Sequence, residues 1–287
     1  MDLNKTASEI REILQKKRQE FQLTFEEESH QYTMLGLDGK LTNEWPSVSK
    51  VMKLFYDEFP SEKMAFNKSG GDPDEAERLL AEWAEKGRLS TNLGSRVHYF
   101  LEEHTLKEFG HTKEVRQPIF DCNAEQITIS DAMITGGKNY IELLKQRGCE
   151  LLDTELVLGS PELGYVGQPD KIWLVNSNKG EVGLLVTDWK SNAEKNFIKQ
   201  WFTKPMLHPF QYLPNNALGH YNTQLPLYGK LLLKMLEGTK YEDIKLLGCI
   251  IVRLTEDREF VEHRVDKSTI NTILDMDIKP MLKKIKK

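Results

Sequence analysis

Two aspartates and a lysine lie among apolar residues between positions 166 and 192 of the chain. Asp170 follows the glycine-containing segment GYVGQPD, and Asp188 and Lys190 end the apolar run LLVTDWK. Because side chains alternate along a β-strand, we expect Asp188 and Lys190 to project from one face and Trp189 from the other. If the two segments pair as a hairpin, both carboxylates converge at one edge of a sheet, with the ammonium beside them.

This combination of groups indicates metal-assisted phosphoryl chemistry. Close carboxylates repel each other, and burying them is costly unless a cation neutralises them. Mg²⁺ and Mn²⁺ prefer such oxygen ligands. A metal of this kind polarises a phosphoryl oxygen and lowers the pKa of a bound water. A lysine can orient that water and stabilise the charge that builds on the phosphate. The alternative is a surface hairpin that carries an ordinary Lys–Asp ion pair.

Two further pairs of polar residues have helical spacing. His98 and Glu102 are four positions apart, as are Gln224 and Tyr228, so that each pair shares a helix face. A neutral imidazole can be a further metal ligand. Pro226 predicts that the second pair lies in the first turn of its helix, where proline is tolerated and free N–H groups can bind phosphate. The alternatives are an ordinary structural histidine, a packed Tyr228 and an exposed Gln224.

The elements that must position these residues follow from hydrophobic periodicity and from turn signals. Helices are predicted at about 5–20, 46–56, 74–87, 91–108, 130–147 and 223–238, with Gly87 ending the third and a last helix near the C-terminus. Strands are predicted within 22–35, 149–159, 165–175, 182–190, 245–254 and 259–265. This order predicts an α/β fold: a small mixed central sheet flanked by helices, preceded by a helix-rich N-terminal lobe. We place the lobe at 1–90 and the core at 91–287, with an insertion at 191–222.

The insertion alternates cations with aromatic rings. It contains Lys195, Lys199 and Lys204 among Phe197, Trp201, Phe202, Phe210 and Tyr212. Such a composition suits a channel for single-stranded nucleic acid, where bases stack on rings and phosphates pair with lysine. The alternative is that the aromatic residues pack the insertion onto the core.

Composition excludes several classes of protein. The 287 residues are 39% hydrophobic and 29% charged with a net charge of −5, which is typical of a globular chain and gives no overall signal for nucleic-acid binding. No apolar run approaches the ~20 residues of a membrane helix, and the N-terminus has no apolar signal core. The three cysteines are far apart, which predicts free thiols in a reducing cytoplasm.

Taken in order, the motif residues resemble a known family. Gly94, His98 and Glu102, then Gly167 and Asp170, then Asp188 and Lys190 in DWKS, then Gln224 and Tyr228 resemble the PD-(D/E)xK nuclease superfamily, in particular its RecB-like exonuclease branch. The resemblance covers about residues 90–255 and implies a restriction-endonuclease-like core. The N-terminal part is similar to stand-alone phage members of this group.

The resemblance implies a role for each motif residue. Asp170, Asp188 and His98 would bind the metal, and the Trp189 carbonyl would be a further oxygen ligand. Lys190 would assist the attacking water, while Gln224 and Tyr228 would position the DNA backbone. Glu102 is carried over as a catalytic residue, and Glu155 is a weaker acidic candidate. Many members of this branch hold an iron–sulfur cluster with four cysteines, which this chain lacks, so we expect no cluster.

The expected function is a Mg²⁺- or Mn²⁺-dependent DNA exonuclease that uses one or two ions and acts at ends of single-stranded or frayed DNA. The alternatives are an endonuclease on the same fold and a nucleic-acid-binding protein without catalysis. The chain has no nucleotide-binding loop of the type GxxxxGK[ST], so no nucleotide is expected. The expected setting is the cytoplasm of a bacterium or a phage-infected cell. There the protein would serve recombination, repair or phage DNA turnover with a single-strand-binding protein or a recombinase, and without a membrane partner.

Overall fold

The computed structural model describes residues 2–177, 179–199 and 204–285. Its helices are α1 (Leu3–Glu20), α2 (Val48–Val51), α3 (Ser61–Lys68), α4 (Pro73–Glu108), α5 (Ala124–Gln146), α6 (Glu194–Ile198), α7 (Ala217–Leu236) and α8 (Lys267–Asp275), with 3₁₀ helices at Met52–Phe55 and Lys279–Lys284. Its strands are β1 (Thr24–Glu26), β2 (Gln31–Leu35), β3 (Leu41–Thr42), β4 (Glu150–Thr154), β5 (Leu158–Ser160), β6 (Tyr165–Gly167), β7 (Lys171–Asn176), β8 (Val182–Lys190), β9 (Lys245–Leu254) and β10 (Phe260–Arg264).

A mixed sheet with the strand order β10-β9-β8-β7-β4 forms the centre of the fold. Strands β8 and β9 are parallel, and the other neighbours are antiparallel. The predicted mixed sheet flanked by helices is confirmed. The hairpin that the convergence of Asp170 and Asp188 requires is present, because β7 and β8 pair with Lys171 opposite Thr187 and Asn176 opposite Val182.

Helices cover both faces of this sheet, and β8 contributes to both hydrophobic cores. On one face Leu184 and Val186 pack with residues of α1, α7 and α8. On the other face Leu185 and Trp189 pack with residues of α4 and α5. Because side chains alternate along β8, Asp188 and Lys190 lie on the same face as Leu184 and Val186, which is the α7 side of the sheet, at the C-terminal end of the strand.

The helix predicted to end at Gly87 continues to Glu108, so this prediction was wrong. Asp72 begins α4, its side chain accepting hydrogen bonds from the N–H groups of Asp74 and Glu75. Glycine inside a helix costs only about 1 kcal/mol relative to alanine, and the buried second half of α4 offsets that cost. The predicted boundary between residues 90 and 91 lies inside α4, and the division into lobe and core stays a prediction.

The start of α7 also differs from the prediction. The helix begins at Ala217, and the side chain of Asn216 accepts a hydrogen bond from the N–H of Gly219 at 2.8 Å. Pro226 therefore lies inside the helix, and Gln224 is not in a first turn that could offer free N–H groups to phosphate. Burial of Leu225 and Leu227 on the sheet offsets the hydrogen bond that proline removes.

Two of the predicted β-rich segments are each divided into two strands. Segment 149–159 forms β4 and β5, and segment 165–175 forms β6 and β7. Strands β5 and β6 form a separate two-stranded sheet. The first division occurs at Glu155, whose φ of 43° is left-handed and interrupts an extended chain. Among the described residues, no helix combines the length and the apolar character needed to cross a membrane.

Candidate metal centre

The β7–β8 hairpin brings Asp170 and Asp188 to the same end of the central sheet. Asp170 lies immediately before β7, and Asp188 is the last residue but two of β8. Both side chains are buried, with 7% and 3% of their surface exposed. One oxygen of Asp170 accepts a hydrogen bond from the backbone N–H of Trp189 at 2.7 Å. The register of the hairpin thus holds a carboxylate of one strand against the backbone of the other.

His98 reaches this end of the sheet from α4. Its Nδ1 lies 3.4 Å from Oδ2 of Asp170, and its Nε2 lies 3.2 Å from the carbonyl oxygen of Trp189. The close approach depends on Gly94, one turn earlier, where a Cβ atom would lie only 3.3 Å from Oγ of Ser191. The G-x-x-x-H spacing therefore lets the helix pass close to the end of β8.

Glu155 completes a group of three possible metal ligands. Ligand atoms of His98, Glu155 and Asp170 all lie within 4.8 Å of one another. The backbone N–H of Glu155 donates to the carbonyl of Asp170 at 3.0 Å, and Gln168 donates to the carbonyl of Glu155 at 3.0 Å. Sequence reasoning gave Glu155 little weight, because the left-handed turn that brings it to Asp170 has no sequence signal.

Burial and mutual repulsion make the ionised forms of the carboxylates in this cluster unfavourable. Burial, and then the charge of Asp170, raise the pKa of Asp188 to about 7. Burial, and then the charges of Asp170 and Glu102, raise the pKa of Glu155 well above its usual range. Burial alone would raise the pKa of Asp170, but the charges of His98 and Lys190 outweigh the effect of burial and lower this pKa. A cation bound here would relieve the repulsion, so the donor set fits a divalent metal.

The ammonium of Lys190 is held between a carboxylate and an aromatic ring. Its Nζ forms an ion pair with Oδ2 of Asp188 and lies 4.3 Å from the centre of the Tyr221 ring. Burial lowers the pKa of Lys190, but the neighbouring Asp188 outweighs it and raises the pKa, so the amine is protonated. Tyr221 was missed, although its position three residues before Gln224 and seven before Tyr228 predicts a shared helix face.

Lys171 is a second lysine that sequence reasoning missed. It is only 2% exposed, and its Nζ lies 4.9 Å from the centre of the Trp189 ring. Burial lowers its pKa, while the charges of Asp170 and Glu155 act in the opposite direction. The first position of β7 thus adds a cation beside the carboxylates, which its place in the apolar run KIWLV did not reveal.

Glu102 lies one helical turn beyond His98 but outside the group of three. It accepts hydrogen bonds from Oγ1 of Thr154 at 2.8 Å and from Nζ of Lys113 at 3.3 Å. Lys113 also donates to the carbonyl of Thr154 at 2.5 Å. The carboxylate of Glu102 therefore links α4 to β4, the strand that precedes Glu155.

Gln224 and Tyr228 form a buried pair on α7. The amide nitrogen of Gln224 donates to the Tyr228 hydroxyl at 3.3 Å, and both residues are buried. The alternative of an exposed Gln224 is therefore wrong. Burial, and then the charges of Asp188 and Asp170, raise the pKa of Tyr228, which puts its phenol on the side of the aspartates.

The aromatic residues of the insertion differ in their environment. Phe197 and Phe210 are fully buried and belong to the main hydrophobic core, which confirms the packing alternative for these two. Lys195, Lys199 and Lys204 are exposed. Trp201, predicted to contact DNA, lies outside the described residues together with Phe202.

Two cavities meet at His98. One has a volume of about 1060 Å³ and is lined by Glu102, Lys113 and Glu155, among others. The other has a volume of about 400 Å³ and is lined by Lys190, Ser191 and Tyr221, among others. His98 lines both, so that one cavity lies on its Glu155 side and the other on its Lys190 side.

The comparisons with protein families and with curated proteins give no match. No protein-family model matches the chain, and no curated protein matches its sequence. The resemblance to nucleases therefore rests on the motif residues alone.

Proposed function

We propose that the chain is a divalent-metal-dependent nuclease that hydrolyses phosphodiester bonds of DNA from free ends. We assign it to the RecB-like exonuclease branch of the PD-(D/E)xK superfamily, with a restriction-endonuclease-like core. The observation that carries the proposal is the convergence of His98, Glu155 and Asp170, with ligand atoms within 4.8 Å of one another. The ion pair of Lys190 with Asp188 lies beside them.

The metal would be held by the imidazole of His98 and by the carboxylates of Asp170, Glu155 and Asp188, with the Trp189 carbonyl as a further oxygen ligand. Oxygen-rich sites of this type suit Mg²⁺ and Mn²⁺. When bound, such an ion polarises a phosphoryl oxygen and makes a bound water acidic enough to attack phosphorus. The raised pKa values of Asp188 and Glu155 support a site whose carboxylates ionise fully only beside a cation.

Lys190 would supply the positive charge next to the reacting phosphate. Its ammonium is protonated and confined by Asp188 and the Tyr221 ring, so that it needs no reorganisation before reaction. Preorganised charge of this kind stabilises the negative charge that develops on phosphate oxygens. Tyr228 and Gln224 would fix the position of Asp170 and Asp188. They would not bind phosphate at a helix N-terminus, because α7 begins at Ala217.

The cavities on either side of His98 support a second candidate, an endonuclease. The two cavities of about 1060 Å³ and 400 Å³ meet at this residue, and a strand that enters one could leave by the other. A free DNA end is therefore the property that distinguishes the two functions. In either case the partners would be DNA and, in a bacterial or phage-infected cell, a single-strand-binding protein or a recombinase.

The test is incubation of the protein with Mn²⁺ or Mg²⁺ and two single-stranded DNAs, one linear and end-labelled, the other a closed circle. Degradation of the linear form alone is the expected result. Cleavage of the circle would establish the endonuclease instead. If neither is cleaved, and duplex DNA and RNA also remain intact, the proposed nuclease function is wrong.

The controls are two lysine variants. Lys190→Ala should lose cleavage, which excludes a contaminating nuclease as its source. Lys179→Ala removes an exposed lysine from the turn between β7 and β8 and should cleave at the wild-type rate.

A further inference from the structure

An apolar pocket of about 820 Å³ lies between α3, the first half of α4 and the start of α7. Phe59, Met64 and Trp83 are its large apolar lining residues, and Asn67, Lys68 and Asn196 also line it. Phe59 and Met64 are each 42% exposed. A soluble protein rarely leaves large apolar side chains together at its surface without an interaction that covers them.

The chemistry of this aromatic pocket suits a planar ring with polar edges. The rings of Phe59 and Trp83 have centroids 6.0 Å apart, and Nζ of Lys68 lies 5.8 Å from the Trp83 ring. The carboxamides of Asn67 and Asn196 offer both donors and acceptors. Nucleobases combine an aromatic face with such an edge, and stacking on aromatic side chains is the common way to hold single strands.

The wall of the pocket formed by α7 is preorganised. The ring of His220 stacks on Tyr56 with centroids 3.6 Å apart and planes 15° apart. Its Nε2 lies 2.6 Å from Oδ1 of Asn215, whose amide donates to the carbonyl of Asp57. A wall fixed in this way loses little entropy when a ligand binds.

The aromatic pocket shares a lining residue with the cavity beside the candidate metal centre. Asn196 lines both this pocket and the 400 Å³ cavity that contains Lys190 and Tyr221. A ligand that extends from the metal centre past Lys190 therefore reaches the aromatic pocket by way of Asn196. Asp57, which also lines the pocket, would repel a phosphate, so bases and not the backbone are the groups expected there.

We infer that the aromatic pocket binds bases of the single-stranded DNA whose phosphate lies at the candidate metal centre. The inference rests on the proposed nuclease function, since that function supplies the strand. It assigns α3 and the first half of α4 a role in holding the substrate, with Trp83 as the principal stacking residue.

The test measures binding without cleavage. Wild-type protein in EDTA is titrated into two fluorescein-labelled 12-residue oligonucleotides, oligo(dT) and a fully abasic strand with the same phosphates, and anisotropy gives both dissociation constants. We expect oligo(dT) to bind about 10-fold or more tightly than the abasic strand. Trp83→Ala should lose this preference. Equal binding of the two strands by the wild type, or an unchanged preference in Trp83→Ala, would overturn the inference.

Two further variants separate stacking from folding. Trp83 packs against the cluster of Ala65 on α3 and Ala76 and Leu79 on α4, so its removal also loosens the packing of α3. Met64→Glu keeps that packing, places an anion in the pocket and should also weaken oligo(dT) binding about 10-fold. Phe66→Ala removes an exposed ring of the same helix that does not line the pocket and should bind like the wild type. Loss of the preference in Phe66→Ala, or wild-type binding by Met64→Glu, would also contradict the inference.

The outcome is independent of catalysis. A base preference that depends on Trp83, in a protein that cleaves nothing with Mn²⁺ or Mg²⁺, would refute the nuclease and retain the pocket as a single-strand site. Cleavage without any base preference would retain the nuclease and remove the pocket.

Discussion

The ring of Tyr228 fills the space that a side chain at Gly167 would need. A Cβ atom built on Gly167 would lie 2.7 Å from Cε1 of Tyr228 and 2.6 Å from Cγ2 of Val48. Gly167 ends β6 three residues before Asp170, and Tyr228 pairs with Gln224 on α7. Gly167 and Tyr228 belong to two separate sequence motifs, and the structure packs them directly against each other.

Gly167→Ala should therefore destabilise the protein by about 1–3 kcal/mol, the usual cost of an added methylene in a packed core. Cleavage should also fall, because the charges of Asp188 and Asp170 act on the phenol of Tyr228, so that a displaced ring changes the environment of both carboxylates. Urea unfolding measures the first effect. The matched control is Gly87→Ala, at a helical glycine with open space around it, which should stabilise the protein by up to about 1 kcal/mol. Equal effects of the two substitutions would contradict the packing argument.

Glu155→Gln should weaken metal binding, because it removes one of the three converging ligands and keeps the size of the side chain. We expect the affinity for Mn²⁺, measured by calorimetry, to fall about 10-fold or more, in the range that changes around metal sites produce. Glu114→Gln is the control, since Glu114 lines the same cavity but is outside the group of three. Wild-type affinity in Glu155→Gln would remove Glu155 from the metal centre.

Asp188 should make the metal-free protein less stable as the pH rises. Its pKa in the folded protein is raised from 3.8 to about 7 by burial and by Asp170. The folded state therefore binds this proton more tightly than the unfolded state does. The stabilisation that results is fully present below about pH 4 and is lost as the pH rises towards 7. In EDTA, the melting temperature of Asp188→Asn should fall less between pH 5 and pH 8 than that of the wild type.

Two comparisons check the assignment of this pH effect to Asp188. Asp243→Asn, at an exposed turn position, should follow the wild type at both pH values. Mn²⁺ at pH 8 should raise the melting temperature of the wild type more than that of Asp188→Asn, because a ligand of the folded state stabilises it by mass action. The same pH dependence in Asp188→Asn and wild type would assign the effect to another group.

Tyr221 should contribute to catalysis through its ring. The ring faces the ammonium of Lys190 at 4.3 Å, and a partly desolvated contact of this kind contributes about 0.5–2 kcal/mol. Tyr221→Leu should lower the single-turnover cleavage rate by up to about 10-fold with little change in Mn²⁺ affinity. Tyr221→Phe keeps the ring and should cleave within about 2-fold of the wild type. Slow cleavage by Tyr221→Phe together with wild-type cleavage by Tyr221→Leu would contradict a role of the ring.

The sequence alone determined the hairpin and the faces of its residues. Two continuous apolar runs joined by a short turn with Gly180 favour antiparallel strands that are buried on both faces, and the shared face of Asp188 and Lys190 follows from the alternation of side chains along a strand. The bounds of β9 and the C-terminal end of α5 were also predicted closely, whereas α5 begins six residues before its predicted start. These features depend on neighbouring residues, whose periodicity is visible in the chain.

Only the tertiary structure decided which distant residues meet. Glu155 joins His98 because of a left-handed backbone at residue 155, and Lys171 stands among carboxylates although its segment reads as an apolar strand. Gly87 predicted a helix end and Pro226 predicted a helix start, yet both residues lie inside longer helices, α4 and α7. A local preference of 1–3 kcal/mol is smaller than the free energy gained by burying a long helix face, and that burial depends on partners far away in the sequence.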